Sequence, residues 1–202
     1  MAAENQVQTK STLINRLIDS FGEMAHLSKE AEEALLSVIQ RKEYKKKEIL
    51  QRADRVSNQL YFVEKGVART YYYRGGKEIT FWIASENEFI GSLASFFSRT
   101  PGTKFVETLE DCVLWVFEYD KLEKLYSSSQ ELERMGRLFT SYGLCVLEKK
   151  FEDFHSLTAV EKYNLLISKY PQILQTVSLG VIASYLGISQ ETLSRVRAQI
   201  AF

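Results

Sequence analysis

The chain has 202 residues, 45% hydrophobic and 26% charged, with 26 basic side chains balanced by 26 acidic ones. This is the composition of an ordinary globular chain, and its zero net charge gives no global reason to expect a nucleic-acid partner. No apolar run approaches the ~20 residues needed to span a bilayer, the polar start MAAENQVQTK is not a signal peptide, and two cysteines with two histidines supply neither a disulfide framework nor a metal or iron–sulfur site. A cytoplasmic location without membrane contact follows, with Cys112 and Cys145, both in apolar stretches, expected as buried free thiols.

In chain order, helical spacing appears at Leu13–Phe21 and again from Ser28 to Arg41, where Ser28 is an N-cap followed by Glu32 and Glu33 in the first turn. The basic run Arg41, Lys42, Lys45, Lys46 and Lys47 is interrupted by Glu43 and Glu48 and reads as a solvated surface strand. From Glu48 to Glu118 short β-rich runs alternate with glycine: LYFVEKG, VARTYYYRGG, KEITFWIA, EFIG, KFVETLE and CVLWVFE. Gly75-Gly76 is a two-residue hairpin turn, flanked by Tyr71 and Tyr73 on one side and Ile79, Phe81 and Ile83 on the other. Such strands imply a roll or jelly-roll barrel. An enzyme of the cupin type would need inward histidines and carboxylates, and His26 is the one histidine before Glu118, so no enzyme is expected.

Residues 86–108 differ in kind. Gly91-Ser92, opening an apolar helical turn, can receive an anion on free backbone N–H groups, with Thr103 adding a hydroxyl; a plain loop closing one end of the barrel fits the same residues. After Ser127-Ser128-Ser129 a long helix runs to about Phe154, with Leu132, Met135, Phe139, Tyr142 and Val146 at 3–4 spacing. That stripe is too wide for a solvent-facing helix, so half is expected on the roll and half against a second subunit. Leu157-Thr158 breaks into a helix from Ala159 to Lys169, ended by Pro171, and Ile173–Val177 connects to the last segment.

That segment, SLGVIASYLGISQETLSRVRAQIAF, holds two short helices meeting at Gly187, the second opened by Ser189. Leu193, Val196 and Ile200 face inward, and Gln190, Glu191, Ser194, Arg195 and Ala198 form a narrow polar face able to reach base edges in a major groove. This is the pattern of a helix-turn-helix, although an amphipathic pair with a solvated outer face has the same pattern. From Leu157 onward the net charge is +2 (Lys162, Lys169, Arg195, Arg197 against Glu161, Glu191), a modest support for DNA contact.

With LYFVEKGVARTYYYRGGKEITFWI in the roll, Phe89-Ile90-Gly91-Ser92 after it and VSLGVIASYLGISQETLSRVR at the end, the chain resembles the Crp/Fnr family of bacterial transcription regulators over nearly its whole length. The resemblance implies an α+β fold: an N-terminal antiparallel β-roll of the cyclic-nucleotide-binding kind (residues 1–127, with its helices), a long dimerisation helix (128–155) and a C-terminal helix-turn-helix of winged-helix type (156–202). The chain ends seven residues after Arg195, so the wing is expected to be reduced or absent. Implied partners are a second copy of the chain through Leu132, Met135, Phe139, Tyr142 and Val146, double-stranded DNA with a palindromic operator, RNA polymerase and a small-molecule effector. DNA contact would fall to Ser189, Gln190, Glu191, Ser194, Arg195 and Arg197. In the family's cyclic-AMP binders a glutamate follows the cassette glycine and an arginine further on holds the cyclic phosphate. Here Ser92 and Gly102 stand at those positions, so the effector pocket of Gly91, Ser92, Arg99, Thr103 and Lys104 is degenerate, cyclic AMP is not expected, and no cofactor is. A roll acting on a protein partner and a ligand-independent DNA-binding regulator are the competing readings.

Overall fold

The computed structural model describes residues 27–200, so the expected helix at Leu13–Phe21 lies outside the described residues. Helix α1 (Lys29–Val38) starts where Ser28 Oγ accepts the Ala31 N–H, and it stops three residues short of the expected Arg41. Strand β1 (Gln40–Tyr44) takes over there, its side chains mostly exposed, as its mixed charges require. β2 (Ile49–Gln51), β3 (Gln59–Lys65), β4 (Ala68–Arg74), β5 (Lys77–Ala84), β6 (Phe89–Ile90), β7 (Phe105–Thr108) and β8 (Cys112–Glu118) follow, with helix α2 (Leu93–Ser98) between β6 and β7. They form two four-stranded antiparallel sheets, ordered β1-β8-β3-β6 and β2-β7-β4-β5.

Strand alternation sorts the apolar residues into two cores. Tyr61, Val63, Ile90, Leu114 and Val116 of the first sheet meet Ala68, Ala84 and Val106 of the second inside the roll. The residues between them, Leu60, Phe62, Trp115 and Phe117, point the other way and pack beneath α1, α3 (Tyr119–Ser128) and the start of α4 (Gln130–Ser156). Cys112 is buried in the roll as expected, and its burial pushes the thiol up to about 11. Cys145 corrects the expectation for its partner, since it is exposed on α4.

Gly75 and Gly76, at φ 57° and 74°, close the β4–β5 hairpin with Arg74 opposite Lys77. The pairing then slips: Thr70 opposes Trp82 and Tyr71 opposes Thr80, leaving Phe81 as an extra, bulged residue. Ile79 pairs with Tyr72 and Ile83 with Arg69, three residues apart on β4, so the two isoleucines lie on opposite faces of the sheet. Ile83 therefore leaves the roll's interior and enters a third core, made with the C-terminal helices.

Those helices are locally specified. Ser129 caps α4 by accepting the Leu132 N–H, and Thr158 and Glu161 form a reciprocal capping box at the start of α5 (Ala159–Lys169). α6 (Ile173–Thr176) is a single turn. α7 (Leu179–Leu186) is capped by Ser178 and ends at left-handed Gly187 (φ 69°), and α8 (Gln190–Ile200) follows, with Ser189 Oγ accepting the Thr192 N–H. A side chain at Gly187 would also strike the Phe154 ring, because the end of α4 lies against this turn.

Candidate functional site

On α8 the two faces separate through Val196, but Ile200, expected to face inward, is exposed near the end of the helix. Leu193 and Val196 are buried against α5 and α7, while Ser189, Gln190, Glu191, Ser194, Arg195 and Ala198 are exposed. The Glu191 carboxyl is held below its usual range, first by a hydrogen bond from Ser189. Gln190 reaches back across α7, its Nε2 close over Gly180. Arg197 is half-buried and lines a groove with Tyr163 of α5 and with Ser194 and Ala198 of the exposed row.

The helix pair is docked on the roll. β5 is an edge strand, and its unpaired backbone meets Ser184 of α7: the Thr80 N–H donates to Ser184 Oγ at 2.8 Å and the Ser184 hydroxyl donates to the Glu78 carbonyl at 3.2 Å. Tyr170 donates its hydroxyl to the Ile83 carbonyl and to Glu88 (3.2 and 2.8 Å), and Lys169 pairs with Glu88 at 2.6 Å. Just behind this seam Arg69 is buried between Glu78 and Glu107, 2.6 and 2.7 Å away, with its guanidinium over the Tyr71 ring. Sequence reading gave Arg69 and Ser184 no role, because each is defined by partners on a different element.

In the roll, the expected anion pocket does not assemble around a cation. Ser92 is 2% exposed, and Gly102 sits so close that a Cβ there would lie 2.9 Å from both Ser92 Oγ and Ser95 Cβ. Gly91 is needed for packing, since a Cβ would overlap Leu60. The loop is fixed by its own hydrogen bonds, from Asp54 N–H to the Gly102 carbonyl and from Ser95 Oγ to the Thr100 carbonyl. Arg99 turns away: it caps α2 in a left-handed conformation (φ 57°), donates to the Ser57 and Phe96 carbonyls and to Asn58, and stacks on Tyr119. Lys104 lies over the Phe81 ring, and burial lowers its pKa. Thr103 is exposed. The five residues named for this pocket are neighbours in sequence whose polar ends do not converge. Thr70 Oγ1, the cross-strand neighbour of Trp82, is buried without a hydrogen-bond partner.

Two positions of the expected subunit seam are corrected by the same packing: Leu132 and Met135 are buried under α1 and α3, while Phe139 is half-buried with its ring 4.6 Å from that of Phe89. Tyr142 is exposed and Val146 half-buried, both lining a cleft toward Trp82. Besides Tyr142, the large apolar residues that α4 exposes are Leu144, Leu147, Phe151 and Phe154, of which the first three form one stripe. Among the described residues no helix is long and apolar enough to cross a membrane, and no cluster of metal ligands occurs.

Residues 41–129 match the cyclic nucleotide-binding domain family. No curated protein matches the sequence significantly. Among solved structures, FixK2 from Bradyrhizobium japonicum is similar with a TM-score of 0.67 at 20% identity, covering 81% of this chain and 85% of that one. A Crp/Fnr-family transcriptional regulator from Eubacterium rectale superposes with a TM-score of 0.65 at 16% identity, over 87% of this chain and 84% of its own. The regulatory domain of Toxoplasma gondii PKA, solved with cAMP, matches at a TM-score of 0.52 and 21% identity, over 58% of this chain and 44% of that one.

Proposed function

We propose that this chain, a Crp/Fnr-type regulator by fold with a cyclic nucleotide-binding domain at residues 41–129, is a homodimeric, sequence-specific DNA-binding regulator of transcription and not an enzyme. Its working parts are a sensor to residue 127, a dimer helix over 128–155 and a DNA reader over 156–202. The observation that carries the reading is α8, where Gln190, Glu191, Ser194 and Arg195 stand exposed in a row while Leu193 and Val196 anchor the helix. Arg suits guanine O6 and N7, and Glu a cytosine amino group, so one G·C pair can be read by both. Cyclic AMP is not the effector in this reading: with glycine at the arginine position, and Arg99 and Lys104 engaged elsewhere, a buried cyclic phosphate would lack its cation. The likeness to a kinase regulatory domain supports the alternative of a module acting on a protein partner, but it covers only 58% of the chain.

Selection from random duplexes tests this. A palindrome with half-sites about one helical turn (~34 Å) apart is expected. Arg195→Ala should cost about 1–3 kcal/mol per half-site and flatten the preference at one base pair. Arg197→Ala, set against Tyr163, should weaken all sequences alike. No enriched palindrome, or a consensus that changes with Arg197 and not with Arg195, would overturn the assignment.

A further inference from the structure

Between the roll and the C-terminal helices lies a second cavity, of about 310 Å³, which shares no residue with the degenerate pocket around Ser92. Trp82 of β5 forms one wall, the second half of α4 another, and α5 with Tyr185 of α7 the rest. Four ammonium groups and the Asp153 carboxylate line it. Lys149 is paired with Glu152 and Asp153, and Lys169 with Glu88. Lys150 and Lys162 have no carboxylate within 4 Å among the described residues. Lys162 donates to the Phe154 carbonyl, and the Lys150 ammonium stands 3.4 Å from the centre of the Tyr185 ring and 5.8 Å from that of Trp82.

We propose that this cleft is a binding site for a small anionic molecule with a flat aromatic ring, the ring lying among Trp82 and Tyr185 and the anion against Lys150 and Lys162. The volume stands at the low end of the ~300–1,000 Å³ typical of small-molecule sites, which suits a single ring system with one phosphate or carboxylate group and excludes larger ligands. Asp153 also lines the cleft, but its carboxylate is paired with Lys149, and a half-buried ammonium with no carboxylate at pairing distance is costly to keep unless something neutralises it. Burial first, then the charge of Lys169, outweigh the opposing Asp153 carboxylate and pull Lys150 down to about 8. An anion bound here would compensate that cost, and the aromatic walls give the ring apolar contact that water does not. Because Trp82 belongs to the roll and Tyr185 to α7, the occupant would bridge the two and favour the docked arrangement.

Pyridoxal 5′-phosphate is a suitable probe: a planar ring with a phosphate and an aldehyde that condenses with a neutral lysine amine, losing water, to an imine that borohydride reduces to a stable amine. Formaldehyde with the same reductant reports the reactivity of each lysine toward a neutral aldehyde without a ring. With the full-length protein near neutral pH, labelling by pyridoxal phosphate is expected to saturate at about one group per chain, on Lys150 by peptide mapping. Its preference for Lys150 over exposed Lys47 and Lys77 should exceed that of formaldehyde by about tenfold, equivalent to 1.4 kcal/mol. Trp82→Leu should reduce the pyridoxal phosphate preference and leave the formaldehyde pattern unchanged, and Lys162→Gln, whose charge also acts on Lys150, should reduce labelling by pyridoxal phosphate by more than it reduces labelling by formaldehyde. Equal preferences for the two aldehydes in the wild-type protein, or label spread over surface lysines without saturation, would overturn the site, and that measurement stands even if Trp82→Leu fails to fold.

Discussion

The first half of α4 is held along its apolar side, with Leu132 and Met135 sunk beneath α1 and α3 and Phe139 against Phe89, while Glu133, Arg134 and Arg137 face solvent. The second half carries apolar residues at similar spacing, yet Leu144 and Phe151 are 69% and 68% exposed. Its inner side, Tyr142, Val146 and Lys150, faces the cleft toward Trp82. One helix thus serves as core in its first half and as open surface in its second. An apolar stripe is evidence that something covers it, and the covering element differs along a single helix. For the proposed dimer, the exposed stripe of Leu144, Leu147 and Phe151 is the surface on which the seam can be tested.

The largest effect that would break this contrast is in the clamped half. Leu132→Ala should lower the unfolding free energy by about 3 kcal/mol, as for a fully buried leucine leaving a cavity, measured by urea denaturation. A loss below about 0.5 kcal/mol, the range of surface changes, would mean that this half is not core. In the open half, Phe151→Asp should leave the unfolding midpoint of the folded chain nearly unchanged and raise the dimer dissociation constant at least about tenfold. Sedimentation equilibrium reads this directly, and an unaltered association would move the seam elsewhere.

The smallest expected effect sharpens the difference between the two sides of the second half. The folded chain releases the Lys150 proton near pH 8, while the unfolded chain keeps it to about 10.5. Between those values the unfolded state binds more protons, so this group makes stability rise with pH. Lys150→Met removes that contribution, and the stability difference between wild type and variant should shift in favour of the wild type across the window. A difference independent of pH would show that Lys150 is solvated. Phe151→Asp, one residue further but outward, should show no such dependence.

Much of this was legible in the residues. Ser28 and Ser189 cap helices, and Gly75-Gly76 and Gly187 turn, where expected, because caps and turns involve partners only a few residues away. The polar row of α8 was legible for the same reason: helical periodicity alone separates Arg195 from Leu193. The anion pocket was legible only as a set of positions, since nothing local reveals that Arg99 bends toward Asn58 and Tyr119.

What the sequence determined by itself, then, is the succession of elements and the faces within each: a roll, a long helix and a helix pair with one exposed polar side. Which face meets which is set by the packing of distant segments. The bulge at Phe81 sends Ile83 outward, where Tyr170 binds its carbonyl from 87 residues away, and Ser184 meets Thr80 across 104. The cleft around Lys150 draws on β5, α4, α5 and α7 together. Periodicity fixes the direction a side chain takes from its own backbone, and the neighbour it finds there depends on how distant segments pack.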